Sequence, residues 1–516
     1  MADSNSNPGL PQEKLVSRLI AARGFSLEEL EPSLDSLPDE ALFANIDVVA
    51  QRLRRAVFQN EPMVIFGHDD PDGITSTYIL YNFLNSCGYQ KHHYYIPNRN
   101  LEPHGIQQGF IDFVEKNGYK LVVTVDNGIS AWDGVEKLKA LGCDVLITDH
   151  HLVQPEMIPE AFGIMNPQLP ECQYPFKSLA GVGVVLMLIR YLGRIWEHPV
   201  HPSSYFWAAI GSIADKVPMI GLNRVIVRYV LENFGEVQDE TVEFLLRNYS
   251  RINSLTDIHN FLQYSSRLIA NGRESGGQHT ALRFILQLSD AKARLFQDLE
   301  RQKNSWEQEL NRVFAFLDTL GADFVGNYFV YYDDEGVIPY PLLGTAATYI
   351  VNKLGLPTIM LKHHNGSTVC EGRCKEGFNM VDAFTFCKEQ LIQFGGHPRA
   401  AGFIMEPSRY DAFLDCFNTF LAQSGVSELP LKNAWEAEIN LGELNMANWK
   451  DLEILMPWGQ MNQEPVLMLR QISKARLLEQ VSLDSSGLEL PSQGAMDIVI
   501  TWKAPNLAKV LSYSQA

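Results

Sequence analysis

The stretch Val64-Ile65-Phe66-Gly67-His68-Asp69-Asp70-Pro71-Asp72-Gly73 sets a histidine and three carboxylates directly behind an apolar run. The apolar part reads as a buried strand, and Asp-Pro-Asp-Gly as the turn that ends it. Side chains alternate in extended backbone, so His68, Asp70 and Asp72 face one side. Carboxylates crowded there repel one another unless a cation neutralises them, and oxygen plus imidazole donors suit Mn²⁺, Mg²⁺ or a related divalent ion. Three later stretches carry similar chemistry. In Thr124-Val125-Asp126-Asn127-Gly128 an acid again follows an apolar run; taken alone, an Asx turn would explain it. Ile147-Thr148-Asp149-His150-His151 ends another such run, and two imidazoles behind an acid are an unusual strand end. Asp215 closes an apolar, small-residue helix stopped by Pro218. A carboxylate at a helix C-terminus opposes the helix dipole, so Asp215 needs a cation, Lys216 or another base beside it.

The elements that must position these groups alternate. Strands are expected at Met63–Phe66, His93–Ile96, Leu121–Val125, Val145–Thr148 and Phe162–Met165, with helical patterns between them. Such βα alternation predicts an α/β fold with a doubly wound, mostly parallel sheet, with the chemistry at the carboxyl ends of its strands. Residues 11 to 60 read as helical, with Arg52, Arg54 and Arg55 on a solvated face, and 289 to 320 as a long helix bridging two domains. A second α/β unit begins near 323, with strands at Tyr328–Tyr332, Thr358–Leu361, Thr368–Cys370 and Ala401–Ile404 and helices at Leu342–Leu354 and Met380–Leu391. Its Gly395-Gly396-His397-Pro398-Arg399 lets backbone N–H groups approach an anion while His397 and Arg399 donate to phosphate oxygens. After 430 strands are expected at Trp435–Leu441, Val466–Ile472, Ala475–Val481 and Met496–Trp502.

Composition bounds the rest. With 516 residues and 46% hydrophobic content the chain folds into two to four domains with real cores. A formal net charge of -19 argues against indiscriminate nucleic-acid binding but leaves room for a local basic groove. The polar N-terminus has no signal-peptide core, no apolar run spans a membrane, and the seven cysteines form no CxxC pair. The expected setting is a reducing cytoplasm.

Together, the acidic first motif, the strand-end Asp126-Asn127-Gly128, the Asp149-His150-His151 triplet and the late Asp215 resemble the DHH phosphoesterase superfamily. Further stretches are similar to its RecJ-type exonucleases: Ile96-Pro97-Asn98-Arg99, Asn166-Pro167, Tyr174 to Gly183, Gly221-Leu222-Asn223-Arg224, Arg267 to Arg273, Glu371-Gly372-Arg373, the Gly-Gly-His motif of a DHHA1 domain, and Met456 to Pro465. The resemblance implies a DHH catalytic domain and a smaller DHHA1 domain around a cleft, joined by a long helix, with a C-terminal β-rich, OB-like domain expected in trimmed form. The corresponding segments are 1–60, 61–250, 251–322, 323–425 and 430–516.

It also implies a metal-dependent 5′→3′ exonuclease that hydrolyses single-stranded DNA to mononucleotides in repair and recombination, using two divalent cations, Mn²⁺ ahead of Mg²⁺. His68, Asp70 and Asp126 would hold one ion, and Asp72, Asp126, His150 and Asp215 the other. Such an ion pair activates a water and clamps the attacking and leaving oxygens. His151 would meet the scissile phosphate with His397 helping, and Asp149 would orient a neighbouring histidine. Arg99, Arg273 and Arg373 would hold the 5′ end, and Gly395, Gly396 and Arg399 would bind the strand. A helicase or a single-strand-binding protein is an expected partner, and no membrane is. The match departs at His68, where bacterial relatives usually have Asp, at Ile269, where the family has Asn, and at Glu371, where it has Ser. A carboxylate beside a terminal phosphate predicts a weakened preference for 5′-phosphorylated ends. Two other readings share the fold: a phosphodiesterase for short oligoribonucleotides or cyclic dinucleotides, and an inactive scaffold. Chain length argues against the first and the intact ligand set against the second.

Overall fold

The computed structural model describes residues 13–515 apart from 32, 100, 103–104, 287–290, 322–326, 365, 376, 425–434 and 485–486. The first twelve residues of the 1–60 segment therefore lie outside the described residues. The chain divides into two compact units, 1–303 with 433–516, and 304–432.

The first unit is built on five parallel strands, β1 (Met63–Phe66), β2 (His92–Tyr95), β3 (Leu121–Val125), β4 (Asp144–Thr148) and β5 (Gly163–Met165), in the order β2-β1-β3-β4-β5. β1 and β3 are buried along their whole length, as near-continuous apolar runs require when helices cover both faces of a parallel sheet. Each expected strand of this sheet forms within one residue of its predicted ends. The order reverses direction between β1 and β3, and that crevice is where doubly wound sheets bind ligands. The helices that flank the crevice are Pro71–Ser86, Gly181–Ile195 and Pro202–Ala214. Arg52, expected on a solvated face, is instead buried, because Asp144 at 2.6 Å and Glu61 at 2.7 Å neutralise it against the sheet.

The same unit contains the C-terminal β-rich module. Its strands β11 (Ala437–Ile439), β12 (Val466–Ile472), β13 (Ser482–Leu483), β14 (Met496–Ala504) and β15 (Leu507–Gln515) run in the order β11-β12-β14-β15-β13. Arg224, 1% exposed, ties the module down by donating to the carbonyls of Leu455 at 2.8 Å and Ile454 at 2.9 Å. Arg23 meets Glu436 at 2.6 Å from the Leu15–Arg23 helix. The strand expected over Ala475–Val481 is instead the short helix Lys474–Leu478. Ser473 caps it by accepting from the Arg476 N–H, and Leu477 alone of its residues is buried, so no second face demands an extended chain. β15 was not expected, because Lys509, Ser512 and Ser514 dilute its apolar alternation.

The second unit carries β6 (Phe329–Asp333), β7 (Thr358–His364), β8 (Ser367–Arg373), β9 (Gln393–His397) and β10 (Ala400–Met405), in the order β6-β7-β8-β10-β9. The helix Ala291–Gly321 spans the division between the units along the chain. Among the described residues no helix is long and apolar enough to cross a membrane.

Burial depresses three histidines of the first unit, His92, His259 and His279, and makes it acid-sensitive. Burial pulls His279 down to about 3, helped by Arg273, and pulls His92 down to about 4. The folded state binds fewer protons than the unfolded one between those values and about 6.5, so both contributions are complete above 6.5 and shrink as pH falls. Tm is expected to drop steadily from pH 6.5 to pH 4, and His279→Gln to flatten that slope; parallel pH–Tm curves for the two proteins would count against the assignment.

Candidate metal centre

β1 delivers its loop straight into the Pro71–Ser86 helix. Asp70 is the N-cap, accepting from the Gly73 N–H at 3.0 Å, and Pro71 supplies a first turn without an N–H to satisfy. Gly73 is required there because a Cβ would overlap the His68 backbone. His68 Nδ1 lies 3.0 Å from Asp70 Oδ2 and 3.9 Å from Asp126 Oδ2. Asp126 follows β3 at φ +60°, a left-handed conformation that a non-glycine residue adopts at a cost of about 1–3 kcal/mol. The Asp126 N–H still donates to Thr148 O at 2.9 Å, which fixes the strained residue against β4.

β4 exits into Asp149-His150-His151. Asp149 is 1% exposed and accepts from the His150 N–H at 2.7 Å, the His151 N–H at 3.1 Å, the Ile129 N–H at 2.9 Å and the His151 ring at 2.7 Å. These bonds turn the two rings. His150 Nε2 lies 3.2 Å from Asp126 Oδ1, 3.8 Å from Asp215 Oδ2 and 3.9 Å from Asp72 Oδ2. His151 is pushed up to about 9 by its hydrogen bond to Asp149, so it carries a positive charge at neutral pH. Asp215 is the C-cap residue of the Pro202–Ala214 helix.

Three groups of ligand atoms therefore lie close enough to grip a cation: His68, Asp70 and Asp126; Asp72, His150 and Asp215; and Asp126, His150 and His151. Asp126 and His150 link the groups into one cluster. Its electrostatics ask for positive charge. Burial first, then Asp72 and other neighbouring carboxylates, raises Asp126 well above the usual carboxylate range. Burial, then Asp72 and Asp70, pushes Asp215 up to about 8. Asp72, Asp126 and Asp215 are pushed toward their protonated forms where a hard divalent ion would neutralise them, while Asp70 is held below the usual carboxylate range beside His68, and the oxygen-and-imidazole donor set fits such an ion.

Two positioning devices escaped the sequence reading. The Gly181–Ile195 helix has Ala180 at its N-cap, so its first N–H groups are without a capping side chain, and those of Gly181 and Val182 donate to Asp72 Oδ2 and Oδ1 at 2.7 Å each. The missing polar N-cap in Leu179-Ala180-Gly181-Val182 was the available signal. The second is Asp69, 1% exposed, whose Oδ1 meets Arg99 Nε at 2.8 Å and whose Oδ2 meets Arg273 Nε at 2.6 Å. A carboxylate on the buried side of an alternating loop demands cations, and that could have been read from the loop itself.

In the second unit Arg373 pairs with Glu371 at 2.8 Å, and Gly344 leaves room for both. Gly395 and Gly396, expected to let backbone N–H groups approach an anion, lie in β9 opposite Gly402 and Ala401. Their low strand propensity is overridden by the β10 ladder, where Gly396 adopts φ +135° because a Cβ would strike Ala400 and Ala401. Arg399 is exposed just before β10, and the side chain of His397 lies outside the described residues.

A five-stranded parallel sheet with this cluster at its switch point defines the DHH class, and the family model described as "DHH family, N-terminal domain" matches residues 62–209. The chain is 30% identical over 490 residues to the single-stranded-DNA-specific exonuclease RecJ of Haemophilus influenzae, covering 87% of this chain and 82% of that one. It is 27% identical to the Escherichia coli RecJ, over 96% of this chain and 93% of that one. The Bacillus subtilis RecJ is 27% identical over 88% of this chain, which spans 58% of that longer relative. The crystal structure of RecJ with Mn²⁺ from Thermus thermophilus superimposes with a TM-score of 0.73 at 23% identity, over 97% of this chain and 76% of that one. The chain belongs to the RecJ family.

Proposed function

We propose that this chain is a metal-dependent 5′→3′ exonuclease that hydrolyses single-stranded DNA to mononucleotides. The observation that carries the reading is the convergence of His68, Asp70, Asp72, Asp126, His150 and Asp215 at the sheet's switch point, in a chain matched over most of its length by single-stranded-DNA-specific exonucleases. His68, Asp70 and Asp126 would hold one divalent cation and Asp72, Asp126, His150 and Asp215 a second, with Mn²⁺ put ahead of Mg²⁺, structures of a relative containing each. When bound, such ions supply a nucleophilic water at neutral pH and charge stabilisation at the scissile phosphate. The chain's own groups do the rest. The Gly181 and Val182 N–H groups hold Asp72 in one orientation. Asp149 keeps the His151 ring turned and protonated, so that His151 donates to a phosphate oxygen as charge builds on it.

Arg99, Arg273 and Arg373 would hold the 5′ end, Gly395, Gly396 and Arg399 would bind the strand, and His397 would help His151 at the scissile phosphate. A cytoplasmic setting, and a helicase or single-strand-binding protein that supplies the strand, complete the reading. Glu371 meets the Arg373 charge within its own unit, so 5′-hydroxyl ends are expected to be cut at least as well as 5′-phosphorylated ones. Glu371→Ser should shift that ratio about tenfold toward the phosphorylated end, a gain of one charge-assisted bond; a strong 5′-phosphate preference in the wild type would refute the assignment.

The test is digestion of end-labelled single-stranded DNA, single-stranded RNA and duplex DNA in Mn²⁺ or Mg²⁺, beside His150→Ala. Stepwise mononucleotide release from the 5′ end of single-stranded DNA, absent in the variant, is expected. Activity confined to RNAs of a few nucleotides, or none on any polymer, would overturn the reading.

A further inference from the structure

Asp69 belongs to none of the groups of potential metal ligands, yet it sits between two of their members, His68 and Asp70. Alternation turns it away from them, to the opposite side of the loop. There it is fully enclosed, and it gathers parts of the chain that are remote in sequence. Arg99, just beyond β2, reaches Oδ1 through its Nε at 2.8 Å, and its backbone N–H reaches Oδ2 at 3.4 Å. Arg273 reaches Oδ2 through its Nε at 2.6 Å. The segment that carries Arg273 is itself clamped to the end of β2. Gly277 O accepts from the Ile96 N–H at 3.0 Å, and Gly277 packs on the Tyr95 ring, where a Cβ would clash.

Two features separate this arrangement from a closed ion pair. One carboxylate faces two guanidinium groups, so one positive charge is left over. Arg273 spends its Nε on a hydrogen bond to Asp69 and Arg99 sets its Nε in ion-pair contact with it, and the side chains of Arg99 and Arg273 remain 35% and 25% exposed. The neighbouring His279 stays neutral because burial and Arg273 depress it, so it adds no third charge. The guanidinium groups of Arg99 and Arg273, both anchored on Asp69, offer donors to a phosphate, with Arg273 Nη1 also donating to Ala270 O at 3.3 Å.

We infer that Asp69 is a positioning residue that locks Arg99 and Arg273 in register with the His68 and Asp70 ligands. The tripeptide His68-Asp69-Asp70 then works as a ruler: one side holds the cutting centre, and the other sets where a phosphate of the same strand is gripped. The length of the released product follows from that spacing. This rests on the exonuclease reading and adds to it the residue that fixes the cleavage register. Geometry of this kind is costly to loosen, because small misplacements of a bound strand lower rates steeply.

The test uses a 3′-labelled single-stranded oligonucleotide with the full-length wild type and Asp69→Asn. The variant keeps the size of the side chain and removes its charge. In Mn²⁺ it is expected to raise KM about tenfold, to change kcat less than about threefold, and to release di- and trinucleotides among the mononucleotides; removing one charge-assisted hydrogen bond corresponds to about that factor. Asp69→Glu should restore part of the KM and the original product length. In EDTA, binding of the same oligonucleotide to Asp69→Asn should weaken about tenfold. Mononucleotide products with unchanged KM and unchanged binding would overturn the inference, as would a fall in kcat alone. If Asp69→Asn does not fold, Arg99→Gln and Arg273→Gln must each reproduce the product shift, and normal products from both would overturn it. A wild type that binds the strand without cutting it contradicts the exonuclease reading instead, and the EDTA binding comparison still decides the role of Asp69.

Discussion

Asp126→Asn is expected to lower phosphodiester hydrolysis by about a thousandfold or more while raising the Tm of the metal-free protein. Asp126 is the carboxylate placed to serve both halves of the cluster, lying 3.9 Å from His68 and 3.2 Å from His150. Removing a group shared between two metal ions affects both, and so exceeds the loss of about 10–100-fold typical of a residue that only supports a ligand. The stability effect has the opposite sign. Burial and the neighbouring carboxylates raise the Asp126 carboxyl well above its usual range, so in the metal-free state it destabilises the fold increasingly as pH rises through that interval. An amide removes this burden. Thermal unfolding in EDTA and then in Mn²⁺ would therefore separate the two effects: the variant should start higher and gain little from Mn²⁺, while the wild type starts lower and gains more. A variant that keeps more than about a tenth of wild-type activity, or that melts lower in EDTA, would contradict this account.

Gly181→Ala should cost about a hundredfold in kcat with little change in Tm. The added methyl would overlap the Asp126 carboxylate, while the Gly181 N–H must still reach Asp72 at 2.7 Å. The helix cannot retreat without loosening Asp72, and Asp126 cannot yield without leaving His150, so the clash falls on the ligand geometry. Displacements of this size are worth about 10²-fold in well-positioned sites. Alanine also suits a helix better than glycine, so the fold itself has no reason to weaken. Gly109→Ala is the control, because a Cβ there meets nothing within 4 Å. Matching activities for the two variants would remove the steric argument.

The parallel sheet could be read from the chain because its strands are short, wholly apolar and bounded by turn residues, as in Met63–Phe66 and Leu121–Val125. The six residues with ligand chemistry could be read because each sits within two residues of a strand or helix end, where Asp and His have no packing role. What could not be read depends on groups that carry no side-chain signal. The grip on Asp72 comes from backbone N–H groups of Gly181 and Val182, and the strain at Asp126, φ +60°, exists only once β3 and β4 are paired. β9 eluded the reading because glycines have little strand propensity of their own and β10 supplies the order. The Lys474–Leu478 segment has the reverse problem: a capping serine and one buried leucine outweigh a local composition that suits a strand. Asp69 was visible as a residue but not as a hub, since Arg99 and Arg273 reach it from distant parts of the chain.

The cluster is expected to hold two divalent cations that share Asp126. The most direct measurement is anomalous diffraction at the manganese edge from crystals of the protein grown with Mn²⁺. Two peaks are expected, one among His68, Asp70 and Asp126 and the other among Asp72, Asp126, His150 and Asp215. In crystals of Asp126→Asn both peaks should weaken or be absent. A single peak, or peaks away from these residues, in crystals of protein that hydrolyses single-stranded DNA would contradict it.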